Sequence, residues 1–140
     1  MDKIKIEELS IGDWVQDKNG KYAQILGIED WSDGYVLNVR INGVDVGCVP
    51  ASSAHPIPIT PEILEKNGFE QFSDVHNSWK LDVADNIRVW MFKNSHDWTF
   101  QVMNWGLGYN HCVAKAFIKH IYELQHALRL AGVDKEINLQ

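Results

Sequence analysis

The chain has 140 residues and a mass of 16.0 kDa, and 45% of its residues are hydrophobic while 23% are charged. This length suits one domain or two small ones, and the composition excludes collagen, coiled coils, low-complexity disorder and membrane-spanning helices. The formal net charge of −6, without any run of Lys or Arg, argues against a nucleic-acid partner, because phosphate binding depends on cations that displace counterions.

The first residues of the chain are acidic where a signal peptide needs an apolar stretch, so we expect a cytoplasmic protein without a membrane partner. The two cysteines, Cys48 and Cys112, lie far apart and predict neither a disulfide framework nor a zinc site. Cys48 shares the apolar side of a predicted strand with Val44 and Val46, where we expect a buried thiol.

Residues 1–59 carry the pattern of a small β-barrel. Turn signals at Asn19-Gly20, Asp33-Gly34 and Asn42-Gly43 separate short β-rich segments, since glycine readily adopts the positive φ of tight hairpin turns. The predicted elements are strands at 14–16, 22–28, 35–41 and 44–49, a one-turn helix at 50–54 and an extended edge strand at 55–59. This pattern resembles the SH3-like barrel superfold, whose members have peptide-binding, nucleic-acid-binding and structural roles, so the fold alone selects no function.

Residues 60–140 carry the pattern of an α+β unit, so the whole chain is predicted to be α+β. Thr60 caps a short helix, Pro61 begins it and Gly68 follows its end. Alternating apolar residues predict three antiparallel strands, at 78–83, 87–92 and 98–103. A long C-terminal helix is predicted over 116–131, packed on one face of the sheet. Its apolar arc on a helical wheel consists of Phe117, Ile118, Ile121, Leu124 and Leu128.

Two segments are similar to a known family: 56–69, with the sequence PIPITPEILEKNGF, and 118–130, with the sequence IKHIYELQHALRL. They resemble a family of small uncharacterised proteins from gut-bacterial genomes, often found in prophages or other mobile elements. The resemblance covers most of the chain and implies no activity, cofactor or site residue. It favours a mobile-element origin over a conventional housekeeping enzyme.

The six tryptophans are the most unusual feature of the composition. Those of the second half are expected to lie mostly buried against the last helix; they are Trp79, Trp90, Trp98 and Trp105. The first half has aromatic residues near its predicted turns; they are Trp14, Tyr22, Trp31 and Tyr35. We consider these four a candidate binding cluster on one barrel face, of the kind used to grip peptides or modified side chains. The alternative is that they fill a small core.

A weak metal candidate lies in the last helix, where His120, Glu123 and His126 are three residues apart. Glu-x-x-His motifs occur in carboxylate-bridged di-iron bundles, but those sites need a second such motif, and the sequence has none. Exposed helix residues are the better interpretation. The Gly106-Leu107-Gly108 segment lacks the third glycine of a dinucleotide loop, and Gly-x-Ser-x-Gly is absent from the sequence. We predict no catalytic residue, no bound metal and no cofactor.

The sequence therefore predicts a non-catalytic adaptor protein that binds a protein or a peptide. Two alternatives stay open. One is single-stranded nucleic-acid binding, in which bases stack on the barrel aromatics. The other is a metal-dependent enzyme that uses His120, Glu123 and His126.

Overall fold

The computed structural model of the protein describes residues 4–32, 34–73, 77–106 and 111–139. The predicted turn residue Asp33 and the loop residues Leu107 and Gly108 lie outside the described residues. The chain divides into two compact units, Met1–Ile57 with Asn138–Gln140, and Pro58–Ile137. Each unit is built on its own antiparallel sheet, and the described part of the chain adds two α-helices, so the protein is α+β and mainly β.

The first unit is a four-stranded meander in which each strand pairs with the next. Its strands are β1 (Trp14–Gln16), β2 (Tyr22–Trp31), β3 (Gly34–Ile41) and β4 (Val44–Pro50), with 3-10 helices at Ile6–Glu8 and Ala51–Ser53. The turn between β3 and β4 forms where the sequence predicts it. Asn42 and Gly43 both adopt the positive φ that such a turn requires, 52° and 78°. The first four of the five strands predicted for this half are confirmed.

The predicted closed five-stranded barrel is not confirmed. The segment predicted as the fifth strand pairs with β1 through one bridge, Gln16 with His55, in which each backbone N–H donates to the other residue's carbonyl at 2.9 Å. Pro56 and Pro58 follow, and proline has no N–H to continue a ladder. The sheet therefore has four strands and ends in a single bridge.

The core of the first unit lies on one face of its sheet, where alternate residues of β1, β2 and β3 are buried; they are Val15, Ala23, Ile25, Leu37 and Val39. The expectation that Cys48 is buried was wrong, because its thiol is exposed. Register explains the difference: Cys48 pairs with Asn38, which points away from the face that Leu37 and Val39 occupy.

The second unit has five strands in sequential antiparallel order. Its elements are α1 (Pro61–Lys66), β5 (Glu70–Ser73), β6 (Ser78–Ala84), β7 (Ile87–Lys93), β8 (Trp98–Asn104), β9 (His111–Ile118) and α2 (Ile121–Leu130). The predicted helix cap is confirmed, since the backbone N–H of Ile63 donates to Thr60 Oγ1 at 3.3 Å. The prediction of three strands was incomplete, because it omitted the short β5 and the edge strand β9.

The prediction of a helix over 116–131 was wrong at its N-terminal end. Residues Ala116 and Ile118 pair with Phe100 and Trp98 of β8, so this segment is an edge strand. The helix begins only after His120, and Glu123 marks that start by accepting a hydrogen bond from the His120 backbone N–H at 3.1 Å. Ten residues are helical, against the sixteen predicted.

One face of the second sheet is buried and forms the core of the unit with residues from both helices. The buried residues include Trp79, Val89, Met91, Phe100 and Val102 from the sheet, and Leu64, Ile121, Leu124 and Leu128 from the helices. In the described residues, neither helix has the length and apolar character needed to cross a bilayer. Within the described residues of the unit, neither helix covers the other face of this sheet, and that face carries the candidate site.

Candidate binding surface on the five-stranded sheet

The uncovered face of the second sheet is defined by the strand register. Residues directly opposite one another in antiparallel strands point to the same side of the sheet. Trp90 lies opposite Lys80 on one side and Gln101 on the other, and Gln101 lies opposite Lys115. Residues two apart on these strands share that side. We call this surface the aromatic face, and its rings are Phe72, Trp90, Phe92, Trp105 and Phe117.

Three side chains of β7 form a stacked row along the aromatic face. Arg88, Trp90 and Phe92 alternate with buried residues, so all three point outward. The Trp90 and Phe92 rings are stacked, with centroids 5.6 Å apart and planes 17° from parallel. The Arg88 guanidinium lies 5.2 Å from the Trp90 centroid. Trp90 is thus flanked along the strand by a cation and a second ring.

Two further rings enclose the Arg88 guanidinium. Trp105, just after β8, has its centroid 5.2 Å from the guanidinium carbon, and Phe72 of β5 has its centroid 6.0 Å away. Phe72 also meets Trp90 edge to face, with centroids 5.0 Å apart. Each cation–π contact contributes about 0.5–2 kcal/mol, depending on how far the cation is desolvated. Only 21% of the Arg88 side chain is exposed, so these contacts belong to the more desolvated class.

The charge of Arg88 is oriented by Asp82 on the neighbouring strand. Arg88 Nε donates to Asp82 Oδ1 at 2.6 Å, and Arg88 Nη2 donates to Asp82 Oδ2 at 3.4 Å. Lys80 Nζ also donates to Asp82 Oδ2, at 3.1 Å. The hydrogen bonds from Arg88, and then that from Lys80, hold the pKa of the Asp82 carboxyl below its ordinary value, against the opposing effect of burial. One carboxylate is thus shared by two cations.

An open cavity lies against this row. It has a volume of about 280 Å³ and is lined by Arg88, Trp90, Met103 and Trp105. Ligand pockets usually enclose roughly 300–1,000 Å³. The cavity is therefore large enough for a side chain or two, and small for a whole cofactor.

The edges of the aromatic face are the most exposed. Phe72 is 58% exposed and Phe117 is 64% exposed, on the first and last strands of the sheet. Lys115 Nζ lies 5.6 Å from the Phe117 centroid, so a cation accompanies this ring also. The face thus has exposed aromatic rings at both edges and half-buried rings between them, with Lys80, Gln101 and Lys115 on the same side of the sheet.

The residues of the predicted barrel cluster are spread over the first unit. Trp14 is buried, and Tyr22 and Trp31 occupy the two ends of β2. Nine steps of about 3.3 Å separate Tyr22 from Trp31 by about 30 Å along the strand. Trp31 lies opposite Gly34 and Asp30 lies opposite Tyr35, so Trp31 and Tyr35 point to opposite faces of their hairpin. Tyr22, Trp31 and Tyr35 are exposed. A binding role for these residues stays a prediction.

The weak metal candidate is placed at the start of α2, where Glu123 acts as a cap. Glu123 Oε1 accepts from the backbone N–H groups of Lys119 and His120, at 3.2 and 3.1 Å, and lies 3.0 Å from His120 Nδ1. The His120 hydrogen bond is the largest cause that lowers the pKa of the Glu123 carboxyl. Within the described ranges, no three His, Cys, Asp or Glu side chains are grouped closely enough to hold a metal ion.

Each of the two cysteine thiols donates a hydrogen bond to an uncharged oxygen atom. Cys48 Sγ donates to the Asn38 side-chain oxygen at 3.1 Å, and Asn38 Nδ2 in turn lies 3.4 Å from Glu29 Oε2. Cys112 Sγ donates to the carbonyl of Ala114 at 3.4 Å. Each thiol thus has an uncharged oxygen, and not a general base, as its hydrogen-bond partner.

Sequence reasoning predicted the tryptophans of the second half to be mostly buried, and this holds for Trp79 and Trp98 but not for Trp90 and Trp105, which are half-buried. Arg88 was the available signal. A strand buried on both faces is a continuous apolar run, so a charged residue at position 88 indicates that its side of the strand, which Trp90 and Phe92 share, reaches solvent.

Comparisons with known proteins give no relative for the chain: no protein-family model, no curated protein and no solved structure matches it.

Proposed function

We propose that the protein is a non-catalytic protein- or peptide-binding protein, and that the aromatic face of the second unit is its recognition surface. The observation that carries this proposal is the set of aromatic rings packed around Arg88 on an uncovered sheet face. Large contiguous apolar surfaces rimmed by polar groups mark interaction sites in soluble proteins.

The residue types of the aromatic face support a protein partner. Aromatic residues, Met and Arg are enriched in protein–protein interfaces, and Trp and Arg are among the residues whose loss costs most binding energy. The aromatic face combines all of these around one cavity, in Arg88, Trp90, Met103 and Trp105.

The same geometry favours a protein over single-stranded nucleic acid. Base stacking needs an open ring face, and Trp90 has Arg88 on one side along the strand and Phe92 on the other. Binding along a phosphate backbone needs several unpaired cations, and on this face Lys80 and Arg88 share the carboxylate of Asp82, which leaves only one edge of Arg88 for an anion. We therefore expect weak or no binding of oligonucleotides.

The remaining parts of the proposal have separate support. The hydrogen-bond partners of Cys48 and Cys112 favour a role without nucleophilic catalysis. The 3-10 helix after β4 and the Gln16–His55 bridge favour an SH3-like, partly open barrel for the first unit. Trp31 and Tyr35, which are exposed on opposite faces of the β2–β3 hairpin, are further candidate contacts in that unit. Mobile-element origin rests on sequence resemblance alone.

Selection from a display library of random twelve-residue peptides tests the proposal. The immobilised full chain is used for selection, and the affinity of each selected peptide is then measured by fluorescence anisotropy. We expect the Phe72→Ser/Phe117→Ser double variant to bind at least about tenfold more weakly, which corresponds to about 1.4 kcal/mol. Both rings are exposed, so the variant keeps its core.

Two controls locate the site. Leu130→Ser removes an apolar side chain that is 90% exposed on α2, away from the aromatic face, and should leave binding unchanged. Trp31→Ala/Tyr35→Ala tests the two candidate residues of the first unit. Failure to select any peptide, or equal binding by the Phe72/Phe117 variant, contradicts the proposal; loss of binding only in the Trp31/Tyr35 variant moves the site to the first unit.

A further inference from the structure

The cavity beside Arg88 is rich in hydrogen-bond donors and poor in acceptors. A guanidinium has five N–H donors. Arg88 uses Nε and one Nη2 proton on Asp82, and the described residues provide no acceptor for Nη1. Trp90 and Trp105, which also line the cavity, have indole N–H groups without an acceptor in the described chain.

This shortage of acceptors is not general to the tryptophans of the unit. The indole N–H of Trp79, at the edge of the core, donates to Glu65 Oε1 at 3.3 Å. The side chains around Arg88 instead bring several N–H donors together. The neighbouring rings of Trp90 and Trp105 leave little of the Arg88 side chain exposed to water. A positive group that is partly desolvated and incompletely hydrogen-bonded gains most from an anionic acceptor.

We propose, on the basis of the function proposed above, that the cavity receives an aspartate or glutamate side chain of the bound peptide, whose carboxylate accepts hydrogen bonds from Arg88. The carboxylate takes the edge of the guanidinium that Asp82 leaves free, so Arg88 becomes paired on two edges. Apolar side chains on either side of this acidic residue contact the neighbouring rings. The recognised segment is therefore an acidic residue with apolar neighbours.

The dimensions and charge of the surface support this occupant. A volume of about 280 Å³ holds an acidic side chain together with part of a neighbour. Lys80 and Arg88 share Asp82, and Glu70 lies opposite Lys80 on the same side of the sheet, so the positive charge at the cavity is that of the Arg88 edge that Asp82 leaves free. That charge favours an anionic partner group at this place over a neutral or cationic one.

The experiment compares matched peptides on the full chain. Library peptides joined to the coat protein through their C-termini have no free terminal carboxylate, so selected acids act through side chains. Each selected peptide is synthesised with its acidic residue and with the isosteric amide, Glu to Gln or Asp to Asn. We expect the amide peptide to bind about tenfold more weakly or worse. The indole N–H resonances of Trp90 and Trp105 should shift with the acidic peptide and much less with the amide.

Arginine variants assign the effect to one side chain. Arg88→Gln should abolish the difference between the acidic and amide peptides. Arg40→Gln is the matched control: Arg40 also pairs with an aspartate on the next strand, Asp45, at 2.8 Å, but in the first unit, and it should preserve the difference. If Arg88→Gln does not fold, the peptide pair and the two indole resonances of the wild-type protein decide the matter alone.

Three outcomes overturn the inference. Selected peptides without an acidic residue, or equal affinity for the acidic and amide peptides, reject the carboxylate while the aromatic face still binds peptides. A twelve-residue oligothymidylate that shifts the same resonances at lower concentration assigns the cavity to a phosphate. Peptides whose binding survives the Phe72→Ser/Phe117→Ser change reject the proposed function and this inference together.

Discussion

The backbone N–H of Ile137 donates to the side-chain oxygen of Gln125 at 2.7 Å, in a site where Gln125 is 2% exposed. The other end of the same amide donates from Nε2 to the carbonyl of Lys135 at 3.0 Å. One buried side chain of α2 therefore satisfies a donor and an acceptor of the segment that follows the helix. A segment without regular secondary structure is held by two hydrogen bonds that replace a strand ladder.

Replacing Gln125 tests this attachment. Gln125→Ala removes the hydrogen bonds that Gln125 makes with the buried Ile137 N–H and the part-buried Lys135 carbonyl, and a buried group that loses such a bond costs about 1–3 kcal/mol. We expect the free energy of unfolding to fall by about 2–4 kcal/mol, measured by urea denaturation followed by circular dichroism. Gln71→Ala, at an exposed position of β5, is the control and should change stability by less than about 0.5 kcal/mol. Equal effects of the two changes would contradict the role of Gln125.

The cap of α2 predicts a dependence of stability on acid. Hydrogen bonds, first from the His120 side chain, lower the pKa of Glu123 below its ordinary value of 4.5. A carboxyl whose pKa is lower in the folded state stabilises the fold above the pKa of the unfolded chain. That contribution is lost as the pH falls through the folded pKa. We expect wild-type stability to decline below about pH 4.5 in part because Glu123 becomes protonated.

The Glu123→Gln variant isolates this contribution. It should be about 1 kcal/mol less stable than wild type near neutral pH, as for other helix caps, and its stability should decline less steeply in acid. The measurement is urea denaturation at a series of pH values between roughly 3 and 7. Glu62→Gln, an exposed acid in the first turn of α1, serves as control for general charge effects. Parallel curves for wild type and Glu123→Gln would refute the assignment.

The hairpin between β3 and β4 depends on backbone conformation alone at Gly43. This residue has φ of 78°, and a Cβ there would meet no atom within 4 Å. Gly43→Ala should therefore cost about 1–2 kcal/mol through backbone strain, without any steric clash. Gly43→Asn should recover part of this loss, because asparagine tolerates left-handed conformations. Thermal denaturation distinguishes the two; equal melting temperatures for Gly43→Ala and wild type would show that the turn has relaxed.

The sequence predicted the strands of the first unit because their turns are local. Asn19-Gly20 and Asn42-Gly43 specify hairpins within four residues, whatever the rest of the chain does. The exposure of Cys48 could not be predicted in the same way. Val44, Val46 and Cys48 alternate as a buried side does, but β4 is an edge strand, and only its register with Asn38 places the thiol outward.

The aromatic face was missed for a related reason. Each tryptophan of the second half was predicted from its own strand, where a large apolar residue is usually core. Which side of the sheet is covered depends on contacts between elements distant in sequence, such as Phe72 with Trp90 and Arg88 with Trp105. The spacing of residues within one strand does not show which side of the sheet is covered. The alternation at 88, 90 and 92 shows only that these three side chains share one side.

The boundary between β9 and α2 was mispredicted because its apolar residues satisfy both periods. Phe117 falls in the apolar arc of a helical wheel, yet in the structure it is on an edge strand and 64% exposed, while Leu124 in α2 is fully buried. Pairing with β9 provides hydrogen-bond partners for the outer backbone groups of β8. A helix that began at 116 would leave those groups of β8 without partners from this segment.

Three alanine variants distinguish the observed boundary, with a strand to Ile118 and a helix from Ile121, from a helix over 116–131. With the observed boundary, Leu124→Ala should lower the free energy of unfolding by about 2–5 kcal/mol, because truncating a buried leucine leaves a cavity. Leu130→Ala in the same helix, at a position 90% exposed, should cost less than about 0.5 kcal/mol. Phe117→Ala should resemble Leu130→Ala, whereas a helix over 116–131 with Phe117 on its buried side would give it a cost of about 3–5 kcal/mol. Urea denaturation of the three variants measures the free energy of unfolding. A loss of about 3–5 kcal/mol in Phe117→Ala would support the helix over 116–131.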